Sequence, residues 1–575
     1  MSVSRRATQP PDTSPPPPEA VPAVTEPRST APGASTHEPS LLSSSLVMAA
    51  GTLFSRLTGF VRAGLLAAAI GMAQHADVFH IANTIPNSLY ILVAGGAFNT
   101  VLVPQLVRAI KSDADGGAAY ASRIVTLGVL VLSGVTAVLV VLAPQLLSLM
   151  VDDSLFDNPA TRESLIDFAR WCLPQIFFYG TFVLVGQILN ARGRFGPMMW
   201  APIANNVVSI AIVVTYLFLY AGDPASGGYT QSQELLLGLG STVGIAVQVA
   251  ILIPYLRASG FSYRPRFDFR GTGLGHTLHL GVWTIGMVVV NQLAFYVMVH
   301  LASAGAAADS GFTVYGNAFL LTQVPHSIVT VSLATAAVPL MSRLAADSQL
   351  GDVAAEMSQT LRLALAVIVP FAALLCVLSG TTAALLFGYG AAAGDTVPLG
   401  HTLIAFAPGM VMFSIHYLAL RGFYALEDTR TTFFIQCLIS ATNIGMAIGL
   451  TLVVSPQSTA PALAAAYGAS YLVGAVVSTH VLFGRLGGLA RRDLTIYLAR
   501  LLLAALPAAG LAWFCVVGLE RIGLEGEGGS TTDSVAILAA GGLAGLGGYL
   551  VLARVLRIAE TASIVRLVAT RGRRS

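Results

Sequence analysis

The sequence predicts an all-α polytopic membrane protein with about fourteen transmembrane helices, and three observations carry that expectation. Hydrophobic residues make up 55% of the 575 residues and charged residues only 10%, where a soluble domain carries about 25% charge. Mean hydropathy is +0.74. Apolar runs long enough to cross a bilayer, about 20 residues each, recur along the chain with turn residues between them. So few charges cannot cover a water-facing surface, so lipid must solvate the chain.

In order, residues 1–40 are rich in Pro, Ser, Thr and Ala, including PPDTSPPPPEAVP, and cannot bury a core. They read as a disordered cytoplasmic tail, too long and too polar for the n-region of a signal peptide. Six spans follow at roughly 45–70, 77–106, 121–150, 166–190, 198–220 and 234–256. Six more lie at roughly 276–301, 312–341, 360–388, 399–421, 432–454 and 460–483, and a last pair at roughly 494–518 and 533–556. Turn-forming segments such as AGDPASGG (221–228) and SPQSTAP (455–461) separate them.

Charge then orients the bundle. The net charge is only +3, and Lys111 is the one lysine among 31 basic residues. Arginines crowd the even-to-odd connections, as in Arg192, Arg194, Arg257, Arg264, Arg266, Arg270, Arg421, Arg430, Arg491 and Arg492, and the C-terminal tail 557–575. The opposite connections carry Asp152, Asp153 and Asp157, with Arg162 and Arg521 as exceptions. By the positive-inside rule both termini are cytoplasmic.

An internal repeat underlies the spans. The second contains IPNS (85–88) and ends VPQLVR (103–108), and the eighth contains VPHS (324–327) and ends VPLMSR (338–343). Six spans separate the two, which predicts two pseudo-symmetric six-helix lobes in the same orientation, 41–256 and 257–486. Spans 13 and 14 (487–556) stand outside the repeat as an appendage. The four cysteines, Cys172, Cys376, Cys437 and Cys515, are scattered without ligand spacing and read as small buried hydrophobes.

The first span poses a puzzle: GTLFSRLTGFVRAG (51–64) sets Arg56 and Arg62 inside an apolar stretch. An arginine at mid-bilayer costs roughly 2.5–3.5 kcal/mol on insertion scales. The two lie six residues apart, about 9 Å along a helix and about 120° around it, and Gly59 between them permits a bend. Arg56 is too deep for easy snorkelling, so both are expected to face a cavity.

SRLTGFVR (55–62), ADVFHIANTIPNSL (76–89) and GGAFNTVLVPQL (95–106) resemble the signature of the MurJ/MviN family, flippases of the lipid-linked peptidoglycan precursor. LNARGRFGPMMWAPIANN (189–206) and ALRGFYALEDTRTT (419–432) resemble its later helix connections. The resemblance implies the MOP-superfamily fold of two lobes around a cationic cavity, and a groove for the polyprenyl tail at helices 13–14. It implies lipid II as substrate, moved from the inner to the outer leaflet of the bacterial cell membrane for cell-wall biosynthesis. Family arginines of the first helix map onto Arg56 and Arg62, and the family aspartate of the second maps onto Asp77. Guanidinium forks match pyrophosphate oxygens, so Arg56, Arg62, Asp77, Asn83 and Asn87 are the expected substrate-binding set. Asn99, Gln292, Asn317 and Gln323 are the expected further cavity lining.

The chain departs from the family where many members carry a further arginine after the IPN motif; here stand Ser88, Leu89 and Tyr90. Many also carry an arginine and an acid in the eighth helix, where here stand Leu320 and Gln323. The cavity is therefore expected to be less cationic. Sodium-linked members use acids in the second lobe, and spans 7, 11 and 12 here hold none. No phosphate-cradling GxxxxGK loop occurs. No catalytic residue, cofactor or metal is expected: His75, Asp77 and His80 straddle a turn and a span start, and read as an N-cap with nearby solvated histidines. Expected partners are lipid II and membrane lipids, with cell-wall synthesis or division proteins as further partners and no nucleic acid. The competing readings are a flippase for another polyprenyl-linked oligosaccharide and a non-transporting cell-wall scaffold.

Overall fold

A computed structural model describes residues 41–92, 105, 106, 109, 115, 117–220, 228–269, 282–487, 491–526 and 529–571. The tail 1–40 and the expected cavity residue Asn99 lie outside the described residues. Among the described residues the regular structure is helical throughout. The helices are α1 (Leu41–Ile70), α2 (Gln74–Tyr90), α3 (Ala118–Val141), α4 (Ala143–Met150), α5 (Pro159–Cys172), α6 (Gln175–Ala191) and α7 (Gly196–Tyr220). There follow α8 (Gln231–Ala258), α9 (Val282–Ala304) and α10 (Phe312–Ala346). The series ends with α11 (Leu350–Phe387), α12 (Val397–Ala425), α13 (Thr429–Thr451), α14 (Thr459–Arg485), α15 (Arg491–Arg521), α16 (Thr531–Val555) and α17 (Ala559–Arg571).

Among the described residues, twelve helical segments are long and apolar enough to cross a membrane, with α5 and α6 forming one of them. The two remaining expected spans coincide with α1, which carries the two arginines, and α2, described for 17 residues. The protein is a multi-pass membrane protein. Its lipid-facing surface is apolar, with Phe218 85% and Leu452 80% exposed, an arrangement that water would not tolerate as a continuous belt.

Polar side chains start several helices where the chain leaves the apolar run. The Asn158 carboxamide accepts from Ala160 N ahead of Pro159, the Asp428 carboxylate accepts from Thr431 N, and Ser530 Oγ accepts from Asp533 N. Each supplies an acceptor for an otherwise unpaired first-turn N–H. Among the described residues, π-turns lie within α8 at Leu235–Leu239 and within α10 at His326–Val331, and α2 passes into π geometry at Ile91. The turn in α10 directly follows Pro325, which lacks the N–H an α-helix would need there.

Helices α12 and α14 cross closely: a Cβ on Gly409 would stand 2.8 Å from Gly468 Cα. A methyl group at Gly409 would push the two backbones apart, whereas one at Gly468 would meet Gly409 at 3.4 Å, an ordinary contact. Helices α11, α12, α13 and α14 share one apolar core, to which α15 and α16 are added against α11. Helices α2, α4, α5, α6 and α7 hold another, around Phe168, Ile81 and Leu147, into which Met298 of α9 and Leu463 of α14 also pack. A third core joins the two parts of the chain at one end, where Ala67 and Met72 pack with Val314, Phe387, Leu399 and Phe406.

Candidate functional site

Helix α1 runs unbroken from Leu41 to Ile70, so Arg56 and Arg62 keep the angular separation of a regular helix rather than converging by a break at Gly59. It is pinned at the turn that carries Arg56: Asn206 Nδ2 on α7 donates to Ser55 O at 2.8 Å and to Thr58 Oγ1 at 2.9 Å. The pin fixes where both arginines point.

Arg62 lines a cavity of about 350 Å³. Helices α1, α2, α7 and the π-turn of α8 wall it on one side, and α9 and α10 on the other. Its polar lining comprises His80, Asn83, Thr84, Ser209, Ser241 and Asn317, with Phe79, Phe295 and Phe319 among the apolar surfaces. Asn83 is oriented by Gln175, whose Nε2 donates to Asn83 Oδ1 at 2.9 Å. Arg62 is within electrostatic range of His80 and of the Tyr179 phenol. Arg56 is exposed on another face of α1 and within electrostatic range of His326 on α10.

Neither arginine has an acidic partner among the described residues. A cation left uncompensated in a low-dielectric setting is costly, and an incoming anion would remove that cost. The arrangement leaves the Arg62 guanidinium facing the cavity with its charge unpaired among the described residues.

Asp77 lies at the end of the cavity, not in its lining. It is fully buried, and its two carboxylate oxygens accept from Phe312 N at 3.0 Å and Thr313 N at 2.6 Å. These are the first N–H groups of α10, so a carboxylate on α2 caps the positive end of a helix 235 residues away. A Cβ on the neighbouring Gly311 would fall 1.7 Å from Asp77 Oδ2, so only glycine fits beside the cap. The apolar seal of Met72 with Val314 and Phe387 lies next to it. Cap and seal close one end of the cavity.

The expected site residues thus separate. Arg62, Asn83 and Asn317 come together in the cavity, while Asp77 is placed in the closure. Asn87 is exposed and lies outside the cavity lining. Gln292 is buried, and its Nε2 donates to Ser88 O at 2.7 Å, joining α9 to α2. Gln323 reaches the Tyr467 phenol instead of the cavity. His80, Thr84, Ser209 and Ser241 also line the cavity; the sequence places His80 among solvated histidines, and its position three residues after Asp77, on the next turn of α2, is the signal that points it inward instead. Arg192, in the GRFGP turn, donates to Ser259 O at 3.0 Å and lies over the Phe261 ring, holding two connections together.

The family model described as lipid II flippase MurJ matches residues 66–521. The chain belongs to the lipid II flippase MurJ family. A MurJ relative from Rhizobium meliloti, described as a probable lipid II flippase, is 28% identical over 405 residues, or 69% of this chain and 73% of that protein. The lipid II flippase MurJ of Burkholderia cenocepacia is 26% identical over 513 residues, covering 85% and 92% respectively. Among solved structures, a lipid II flippase MurJ in an inward closed conformation superposes with a TM-score of 0.67 at 18% identity, covering 89% of this chain and 99% of that one. An inward-facing multidrug MATE transporter of the MOP superfamily superposes at 0.61 with 13% identity, covering 78% and 99%. Both likenesses carry the fold. The MurJ match begins after Arg62, so the placement of the two arginines rests on the structure itself.

Proposed function

We propose that the protein flips lipid II, a disaccharide-pentapeptide on undecaprenyl pyrophosphate, from the inner to the outer leaflet by alternating access. The observation that carries the reading is Arg62, uncompensated by any described acid, in a cavity between the two parts of a MurJ-family chain. Residues 41–256 and 257–486 act as two lobes that rock about the cavity, and Arg56 and Arg62 hold the pyrophosphate as it leaves the headgroup region. Asn83 and Asn317 supply neutral hydrogen bonds beside it. Asp77 holds the outer end shut by capping α10. Helices α15 and α16, whose outer surfaces carry Leu503, Trp513, Phe514 and Val551, offer the polyprenyl tail an apolar groove.

The deciding experiment depletes the protein in cells and measures lipid II exposed to an impermeant reagent at the outer surface. Exposure should collapse within the depletion period while total lipid II rises. Unchanged exposure on depletion would overturn the flippase reading.

The same reading sets the topology, with both termini in the cytoplasm. Single cysteines at Asn158 and Gly228, introduced after replacing the four native ones, should react with an impermeant thiol reagent from outside. A cysteine at Ala258 should not. Outside labelling at Ala258 would invert the orientation and place the Asp77 closure on the cytoplasmic side.

A further inference from the structure

Behind the central cavity lies a second one, of about 280 Å³, inside the group formed by α9, α10, α12, α13 and α14. The two cavities share Phe295, Phe312, Tyr315 and Phe319 as a common wall. On its far side the second cavity is faced by Phe413, Tyr467 and Tyr471. Tyr471 packs tilted at 50° against Tyr467, ring centroids 4.6 Å apart, and edge-on against Phe413 at 4.9 Å.

Ala294, Met298 and Ile439 complete the apolar lining, and its polar part is amide and hydroxyl: Asn291, Gln436, Ser440 and Asn443. Gln436 Nε2 donates to Ser440 Oγ at 3.2 Å and to Asn291 Oδ1 at 3.5 Å. Asn443 Oδ1 is buried with no hydrogen-bond partner among the described residues. A buried acceptor left unpaired is costly, and a ligand hydroxyl or N–H would satisfy it.

Among the described residues no acidic or basic side chain lines this cavity. A cation would find no counter-charge there and an anion no guanidinium, so a charged ligand would bear its desolvation cost without return. Aromatic faces carry partial negative charge and pack against the weakly positive C–H faces of a pyranose ring. Amides both donate and accept, as sugar hydroxyls and acetamido groups require. The volume is just below the roughly 300–1,000 Å³ of pockets that hold whole drug-sized ligands, which suits one ring. We infer that the second cavity is a subsite for a single neutral, N-acetylated sugar ring of the transported headgroup.

The inference rests on the flippase reading above, in which the pyrophosphate sits at Arg62 on the other side of the shared wall. Phe295, Phe312, Tyr315 and Phe319 line both cavities, so in this reading the substrate passes between these rings, with its charged part on the Arg62 side and its neutral ring beyond them. The charged peptide is excluded from the subsite by the same absence of counter-charge.

The test uses the full-length protein in lipid nanodiscs and two probes, undecaprenyl pyrophosphate and undecaprenyl pyrophosphate carrying one N-acetylhexosamine. Wild type should bind the sugar-bearing probe the more tightly. Tyr471→Leu and Asn443→Leu should each weaken the sugar-bearing probe about tenfold, the scale of one lost stacking or hydrogen-bonding contact, with no comparable loss for the bare pyrophosphate. Arg62→Ala should weaken both. Equal losses for both probes in the Tyr471 and Asn443 variants would mean that these residues act through packing and would overturn the subsite. So would equal affinity of wild type for the two probes, while leaving the flippase reading standing. Wild-type protein that binds neither probe would overturn that reading and the subsite with it. Thermal unfolding of each variant in the same nanodiscs, unchanged from wild type, separates lost binding from lost fold.

Discussion

Replacing both Arg56 and Arg62 by alanine is expected to abolish lipid II export while the protein still reaches the membrane in normal amount. Each guanidinium can make charge-assisted hydrogen bonds to phosphate worth about 1.5–3 kcal/mol apiece, which corresponds to about 10- to 100-fold in affinity. Removing a costly charge from α1 should not hinder insertion. The two single variants should differ. Arg62 lines the cavity and Arg56 faces His326 from another side of α1, so Arg62→Ala should lose more pyrophosphate affinity than Arg56→Ala. Lysine at 62 keeps the charge but not the planar fork and should fall between wild type and alanine. The measurement is complementation of a depleted strain together with membrane abundance by immunoblot. Growth supported by the double variant would mean that these arginines serve helix packing.

The second large effect is expected at the closure. Asp77→Ala removes two short hydrogen bonds to the first turn of α10 and leaves those buried N–H groups unpaired. A loss of about 3 kcal/mol would shift a two-state equilibrium between closed and open outer ends by more than about 100-fold. Gly311→Ala should do the same from the opposite side, because its methyl group would occupy the position of Asp77 Oδ2. Asp77→Asn keeps one acceptor but turns an NH₂ toward the other N–H, so it should lie between. In a background without the native cysteines, a cysteine at the half-buried Thr84, which lines the cavity behind the closure, would report the change as faster reaction with an impermeant thiol reagent. An unchanged reaction rate in both Asp77→Ala and Gly311→Ala would show that the apolar seal of Met72, Val314 and Phe387 closes the end without the cap.

The helices themselves were legible because a bilayer selects on length and apolarity, and both are local properties of the chain. The pairing of helices was not. Asp77 reads as an ordinary first-turn aspartate of α2, and nothing within a few residues of it announces that it caps α10. Gln292 reads as cavity lining on its own helix and is instead tied to the Ser88 carbonyl. Both misplacements come from the same cause: hydropathy defines segments but not their neighbours. Arg62 was legible for the opposite reason, since a buried charge is an anomaly wherever it packs. The second cavity was invisible because aromatic and amide residues on five helices look unremarkable until those helices meet.

The wide turn at His326–Val331 has a consequence for how α10 is phased. A π-turn contains one residue more than the α-helical path around it requires, and one residue is worth about 100° of rotation. The N-terminal part of α10 is indexed to α2, α12 and α14, and its C-terminal part to α11 and α12. The extra residue sets the angular offset between those two indexings. Deleting Ile328 would leave a regular helix of nearly the same length whose two ends could no longer face both sets of neighbours at once. The helix is a shaft with a keyed joint, and the key is a single residue.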